Sequence, residues 1–213
     1  MNFTASKVRK SIYLPIGKRV FDLVLAVLML PILAPVIAIL YLIARKDGGP
    51  GFFGHKRVGQ HGRSFRCWKI RTMVVDAEAK LAAHLVSHPE AAAEWARDHK
   101  LTDDPRITGV GKFLRETSLD ELPQIWNVLK GEMSFVGARP VVTAELEKYG
   151  SDVQAYYAQK PGITGLWQVS GRNDVSYEER VSMDVSYLSR CSAWTDLKII
   201  VSTGLEVIGK SGR

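Results

Sequence analysis

Two adjacent carboxylates, Asp120 and Glu121, stand in a charge-rich run that begins at Thr102: TDDPRITGVGKFLRETSLDELPQIWNVLKGEMSFVGARP. Adjacent acids offer hard oxygen donors to a Mg²⁺ ion, and a carboxylate left free can attack phosphorus. Arg115 lies five residues before the pair, and Arg139 follows in SFVGARP. Guanidinium groups are the preferred partners of phosphate oxygens. The set reads as a Mg²⁺-dependent phosphoryl-transfer site. A plainer reading competes with it. Ser118 and Glu121 match the S-x-x-E capping box, and Asp120 favours a helix dipole. On spacing alone capping is the commoner meaning. Spacing also leaves open which acid would bind the metal and which would attack.

These acids need an element to hold them. A helix is expected over Leu119–Leu129, closed by Gly131 as a C-cap glycine. Pro123 complicates its start. With Ser118 as N-cap, the Pro123 ring meets the carbonyl of Leu119, and a start nearer Asp120 removes the clash. Either start puts the pair at a helix N-terminus, which keeps a carboxylate ionised and attracts phosphate. The second dense block is KPGITGLWQVSGRN, Lys160–Asn173. Its glycines, Trp167, Gln168 and Arg172 suit a loop set that presents N–H groups, an aromatic face and one charge to a nucleotide or sugar. A turn-rich connector with Trp167 in the core is the alternative.

Residues 51–72 read as a β-hairpin turning at Gln60–Gly62. From Arg45 to Arg71 there are eight Lys/Arg, Lys69 and Arg71 among them, and one acid, Asp47. Aromatics interleaved with bases suit nucleic acid or an anionic lipid surface. The neighbouring apolar segment favours lipid. Asp76–Lys100 is Ala-rich and reads as two helices parted at His88–Pro89, with Pro89 as a start signal. His84 and His88, at i and i+4, lack a third ligand at matching spacing and read as a solvated face.

The apolar segment is LVLAVLMLPILAPVIAILYLIA, Leu23–Ala44, without a charge. At 1.5 Å per residue it covers about 33 Å, enough to cross a bilayer core. It is too long for a signal-peptide h-region. Lys7, Arg9, Lys10, Lys18 and Arg19 precede it, and Arg45 and Lys46 follow. Positive charge marks the cytoplasmic side, and here both ends carry it. Pro31 and Pro35 sit in the middle, and each removes a donor. A helix that enters the membrane and returns is therefore expected, with a kinked single span as the alternative. Asp196–Ile208 carries an apolar face (Leu197, Ile200, Val201, Leu205, Ile208) that suits either the membrane interface or the domain core.

The rest of the composition sets bounds. The 213 residues carry 29 Lys+Arg against 22 Asp+Glu, a net +7, so an anionic partner is expected. A 46% hydrophobic content excludes wholesale disorder, and two cysteines exclude a disulfide scaffold.

Taken in order, KRVFDLVLAVLMLPILAPVIAI, GPGFFGHKRVG, KIRTM, SLDELPQIWNVLKGEMSFVGARP, KPGITGLWQVSGRN and DLKII resemble the bacterial sugar transferases. These are the monotopic phosphoglycosyl transferases that begin polysaccharide assembly. The resemblance runs from about Lys18 to the C-terminus and outweighs the capping reading of the acids. It implies a mainly α chain with a small β-hairpin, an α+β fold. Residues 1–47 would form a basic segment and a re-entrant membrane helix broken at Ala34–Pro35. Residues 48–213 would form a cytosolic catalytic domain resting on the membrane through amphipathic helices.

The activity implied is transfer of a hexose 1-phosphate, galactose or glucose, from a UDP-sugar to undecaprenyl phosphate, with release of UMP. Asp120 would be the nucleophile and Glu121 a Mg²⁺ ligand, helped by Asp120. Lys69, Arg71, Arg115, Arg139, Gln168 and Arg172 would contact substrate phosphates. The family's Pro-Arg-Pro reads Ala138–Arg139–Pro140 here, which keeps the charge and changes the backbone stiffness. The short stretch before the apolar segment implies a minimal member. The cytoplasmic face of the bacterial inner membrane is the expected location. The phospholipid membrane is an expected partner, nucleic acid is not, and the resemblance admits a homodimer and downstream glycosyltransferases. A membrane-bound anion-binding protein without turnover, or a subunit with a degenerate site, would gain nothing from two adjacent acids.

Overall fold

The computed structural model describes residues 13–171 and 175–210. Arg172 and the basic residues before Tyr13 lie outside the described residues. The fold is mostly helical, with two small two-stranded sheets.

A turn of π-helix, Tyr13–Gly17, leads into α1, Lys18–Ala44. The expected break at Ala34–Pro35 does not divide it. The helical backbone continues through Pro31 and Pro35. Burial along α1 explains how. Asp22, Ala26, Met29, Leu33, Val36, Ile37 and Leu40 recur at helical spacing on the face turned to the domain. Both prolines lie on the opposite, exposed face with Val24, Leu28, Ile32 and Ile39. A proline on the outer face relieves its clash by bending the helix over its inner face. Here that face is held to the domain around Ala26 and around Leu40.

Both ends of α1 are tied to the same domain. At the start, Lys18 pairs with Asp196 at 2.7 Å, and Asp22 accepts from Ser134 Oγ at 2.9 Å and the Phe135 N–H at 3.1 Å. At the finish, Arg71 donates to the Ala44 carbonyl at 2.6 Å, and Leu40 packs with Ile70 and Leu114.

The hairpin forms where the glycines implied. Strands β1, Phe52–Val58, and β2, Ser64–Ile70, pair antiparallel from Phe52 opposite Ile70 to Val58 opposite Ser64. The turn at Gln60–Gly62 bends through left-handed residues His61 and Gly62. The helical hairpin that follows, α2 (Ala77–Ser87) and α3 (Pro89–Asp98), splits at His88–Pro89 as expected.

A second sheet was not foreseen. After α4 (Gly109–Glu116) and α5 (Gln124–Lys130), the short strand β3, Ser134–Val136, pairs in parallel with β4, Gly162–Thr164. Between them run a 3₁₀ segment, Thr143–Asp152, and α6, Val153–Tyr157. Three residues per strand is too short for a periodicity signal. The glycines carried the information: a Cβ on Gly162 would lie 2.1 Å from the Gly137 nitrogen. Three more helices complete the chain: α7 (Leu166–Ser170), α8 (Tyr177–Arg190) and α9 (Ala193–Lys210). The main core joins Ala26 of α1, Phe65 and Cys67 of β2, Ile125 and Val128 of α5, Phe135 and Val136 of β3, and Ile199 of α9. Helix α9 is thus partly core, while Trp194, Leu197, Val201 and Leu205 stay exposed. The side chain of Ile208, expected on the same face, lies outside the described ones.

One buried acid gives the fold a pH dependence. Asp184 of α8 is buried and accepts from the Tyr149 hydroxyl at 2.8 Å. Burial raises its pKa to about 7, against the lowering effect of that hydrogen bond. The folded state then holds a proton that the unfolded chain releases near pH 4. Stability is full below pH 4 with respect to this group and falls as pH rises to about 7. Asp184→Asn, which keeps the acceptor, is expected to flatten that slope in thermal melts taken between pH 5 and 8.

Candidate active site

Helix α4 begins with a true cap. Thr108 Oγ1 accepts the Gly111 N–H at 2.9 Å. Gly111 seats its turn against the end of β2, where a Cβ would lie 2.0 Å from the Thr72 oxygen. This contact delivers Arg115, whose Nε donates to Thr72 Oγ1 at 2.9 Å. The chain then reverses at Ser118, which takes a left-handed backbone at φ 57°. A non-glycine residue there is strained by roughly 1–3 kcal/mol, and such residues gather where a site needs a particular turn.

The acids follow on a 3₁₀ turn, Leu119–Glu121, ahead of α5. The expected single helix over Leu119–Leu129 is thus two pieces. Pro123 is the N-cap of α5, where a proline costs no hydrogen bond, and Gly131 closes it at φ 80° as expected. The capping box is not formed. Ser118 caps nothing with its side chain, and Glu121 turns to Lys69. Lys69, near the end of β2, lies 2.6 Å from Glu121 Oε1 and 3.4 Å from Asp120 Oδ2. An ammonium therefore sits between the two carboxylates.

Electrostatics here also differ from expectation. A helix N-terminus was expected to hold Asp120 ionised. Instead burial pushes its carboxyl above the usual range, with Glu121 adding to the rise, while Lys69 and Arg115 pull against it. Lys69 is held above its ordinary value: burial lowers it, but Glu121 and Asp120 prevail.

Two spaces meet at the acids. The larger, about 560 Å³, has Met29 and Leu33 of α1, Ile200 of α9, Leu122, Ile125 and Phe135 for apolar walls. Arg115, Glu121, Arg139 and Gln168 give it a polar end. The smaller, about 50 Å³, is walled by Arg57, Lys69, Glu121, Gln124, Arg139 and Gln168. Glu121, Arg139 and Gln168 belong to both. Asp120 lines neither and is only 6% exposed.

A match to the bacterial sugar transferase family extends over residues 13–210. This chain belongs to that family. The chain is 53% identical over 195 residues to the UDP-galactose-lipid carrier transferase of Erwinia amylovora. It is 50% identical over 195 residues to the undecaprenyl-phosphate galactose phosphotransferase of Salmonella typhimurium. Each match takes 92% of this chain and 41% of the relative, so the chain spans about two-fifths of their length. An exopolysaccharide production protein of Sinorhizobium fredii matches at 48% identity, over 88% of this chain and 84% of its own.

Most of the residues singled out from sequence meet in this sugar transferase. Lys69, Arg115, Glu121, Arg139 and Gln168 line one or both of the two spaces, and Asp120 lies behind them, 3.4 Å from Lys69. Trp167 resolves as both alternatives at once: it is buried, lines the larger cavity and stacks under Arg180 at 4.6 Å. Arg57 was missed. It is the last residue but one of β1, pairs with Glu145 at 3.4 Å and walls the polar space. Asn127 was missed too: it stitches α5 to β2, donating to the Arg66 carbonyl at 2.7 Å and accepting the Trp68 N–H at 3.1 Å. Its only sequence signal is a polar residue on an apolar helix face.

Arg71 is placed elsewhere than expected. Its guanidinium donates to the carbonyls of Ala44, Pro50 and Met73 at 2.6–2.7 Å and to both oxygens of Asp47. A fork so fully committed is a tie between α1 and the hairpin rather than a phosphate ligand. Arg71→Ala strands three carbonyls, which costs about 2–4 kcal/mol. The expected outcome is a lowered melting temperature, with substrate KM unchanged in the fraction that stays folded.

Proposed function

We propose that this sugar transferase moves a sugar 1-phosphate from a UDP-sugar to undecaprenyl phosphate, at the cytoplasmic face of the bacterial inner membrane. The relatives' names favour galactose 1-phosphate as the group transferred and exopolysaccharide assembly as the setting. The observation that carries the reading is the junction of the two spaces. A polyprenyl phosphate needs a greasy wall that ends in cations. A UDP-sugar needs a charged recess. Glu121, Arg139 and Gln168 stand where such spaces meet.

In the proposed reaction a carboxylate oxygen of Asp120 attacks the β-phosphorus of the UDP-sugar. A carboxyl–phosphorus bond forms, the bond to the bridging oxygen breaks, and UMP leaves with the electron pair. A phosphate oxygen of undecaprenyl phosphate then attacks the same phosphorus and returns Asp120 to a carboxylate. Two steps allow two polyanions to use the site in turn. Arg115 and Arg139 would orient phosphate oxygens, and Lys69 would hold the acids together between turnovers. The donor set fits a magnesium ion of the kind bound by one or two carboxylates and completed by substrate phosphates and water. Asp120 and Glu121 would hold it, and it would neutralise the diphosphate toward an anionic attacker. One observation favours a second reading, with the roles exchanged: Glu121 lines both spaces and Asp120 neither.

The placement on the membrane rests on α1. Its outer face is apolar, its window of highest hydropathy is 11% buried, and both of its ends are bound to one domain. A helix so tied does not carry its two ends to opposite sides of a bilayer, which supports a monotopic chain. Single cysteines at Ile16 and Lys46, both exposed, are expected to resist a membrane-impermeant thiol reagent in intact spheroplasts. Labelling of one of them alone would mean a full span.

For the chemistry, sugar-labelled UDP-galactose and Mg²⁺ without acceptor should leave label on the protein, with release of UMP. Fragmentation of the labelled peptide should place it on Asp120; label on Glu121 establishes the exchanged roles. Asp120→Asn should fold normally and lose about 10³-fold or more in kcat. Absence of label, with UMP appearing only after lipid is added, would mean a single displacement. Arg139→Ala should lose about ten- to a hundred-fold in rate, and Arg139→Lys should recover only part, since an ammonium lacks the bidentate fork.

A further inference from the structure

A third cavity, about 230 Å³, opens at the start of α1 and shares no lining residue with the two spaces at the acids. Its polar wall is Lys18, Arg19, Asp22, Gln60, Gln159 and Lys160. Three cations thus surround one small volume. Lys18 is matched by Asp196. Arg19 spends Nη1 and Nη2 on the carbonyls of Val128 and Leu129, at 2.6 and 2.8 Å, which close α5. Lys160 has no hydrogen-bond or ion-pair partner among the described residues. Its Nζ and the Arg19 guanidinium carbon each lie 3.4 Å from where a Cβ on Gly131 would sit, so the two charged heads stand side by side.

Two like charges half out of water call for an anion. Burial and the neighbouring Arg19 hold the Lys160 ammonium below its ordinary pKa, with Asp22 in partial opposition. Asp22 is the one carboxylate in the wall, and its Oδ1 is turned to Ser134 and the Phe135 N–H. Gln159 adds to the wall, but its amide is turned inward, with Nε2 on the carbonyls of Ala155 and Asp184 at 3.2 and 3.4 Å. The cavity therefore offers unspent donor capacity on Lys160 in the positive field of Arg19. A phosphate ester supplies the missing charge and acceptor.

The remaining wall says where such a group comes from. Leu14 and Pro15 form the lip. Beyond it the exposed Ile16, Val20 and Val24 run onto the outer face of α1. A ligand seated here has its polar end among the cations and an apolar strip leading away.

We propose that this cavity binds the headgroup phosphate of an anionic glycerophospholipid, with Lys160 and Arg19 on the phosphate. The site rests on the membrane-surface reading of α1 and is independent of the chemistry at Asp120. It would fix the depth and rotation of the apolar helix by a specific lipid rather than by hydrophobicity alone.

The test uses the full chain in a neutral detergent, titrated with dioctanoyl phosphatidylglycerol, dioctanoyl phosphatidylcholine and inorganic phosphate, with melting temperature and native mass spectrometry as readouts. The wild type is expected to show a saturable rise in melting temperature, and a retained lipid mass, with phosphatidylglycerol only. Lys160→Gln should weaken that binding about ten-fold or more, the loss of one charge-assisted contact. Lys160→Arg should restore most of it, and Arg115→Ala should leave it unchanged. Equal saturation by inorganic phosphate would make this a free-phosphate site and overturn the lipid assignment. Undiminished binding in Lys160→Gln, or no retained lipid on the wild type, would remove the site. Flotation of the wild type with phosphatidylcholine vesicles checks the surface placement separately, so failure of the headgroup site and failure of the membrane reading are told apart.

Discussion

The carboxylate of Asp196 is fully buried, and the position of α1 depends on it. It accepts from Lys18 Nζ at 2.7 Å, from the Tyr13 hydroxyl at 2.6 Å and from the Tyr187 hydroxyl at 2.6 Å. A buried ion pair gains little over well-packed hydrophobic residues, because desolvation costs most of what attraction returns. Its value lies in geometry. With donors on both oxygens, Asp196 has one satisfied arrangement, and that arrangement sets the rotation of α1 against α9 and α8. Asp22, one turn on, repeats the logic with Ser134 and the Phe135 N–H. Rotated by half a turn, the helix would bury Val24, Leu28 and Ile32, carry Lys18 and Asp22 to the outer face and leave the Asp196 carboxylate in the core without its ammonium.

That rotation has consequences for the site. It turns Met29 and Leu33 inward, where they form one wall of the large cavity opposite Arg115 and Arg139. Without α1 the cavity is an open face of α5 and α9. The apolar helix is therefore a wall of the site as well as the means of reaching lipid. The far end is held by a different device, the Arg71 fork on Ala44, Asp47 and Pro50. Both devices are polar and sit at the two ends of an apolar stretch. Contact along the stretch itself is side-chain packing, which is poor at fixing register and rotation.

Much of this was legible in the sequence because the informative features were local. The charge-free run, the turn at Gln60–Gly62, the split at His88–Pro89 and the cap at Gly131 each follow from a few neighbouring residues. The readings that failed were those in which a local signal was outweighed by a distant partner. Ser118-x-x-Glu121 looked like a capping box, but Lys69, some fifty residues away, claims Glu121. Arg71 looked like one more cation in a basic stretch, but Ala44, Asp47, Pro50 and Met73 together take up its donors. Pro35 looked like a helix break, but the helical backbone runs on through it while α1 is held to the domain at both ends. The short strands β3 and β4 left no periodicity to read, and Gly137 and Gly162 report only that two backbones meet closely.

The acids lie where two environments join, and this bears on why Asp120 is so hidden. A free carboxylate in open contact with an apolar chamber and a charged recess would meet water from both sides. A phosphoanhydride bond to a carboxyl group is readily hydrolysed, so exposure would drain any intermediate before the second substrate arrived. Asp120 is buried, with Lys69 beside its oxygen, while Glu121 lines both cavities. The strained turn at Ser118 holds this arrangement on three residues of 3₁₀ helix, a short element with poor hydrogen-bond geometry. In the proposed reaction, phosphates that draw Lys69 away from the acids would need only a small shift of such a turn to bring the protected carboxylate to the phosphorus atom.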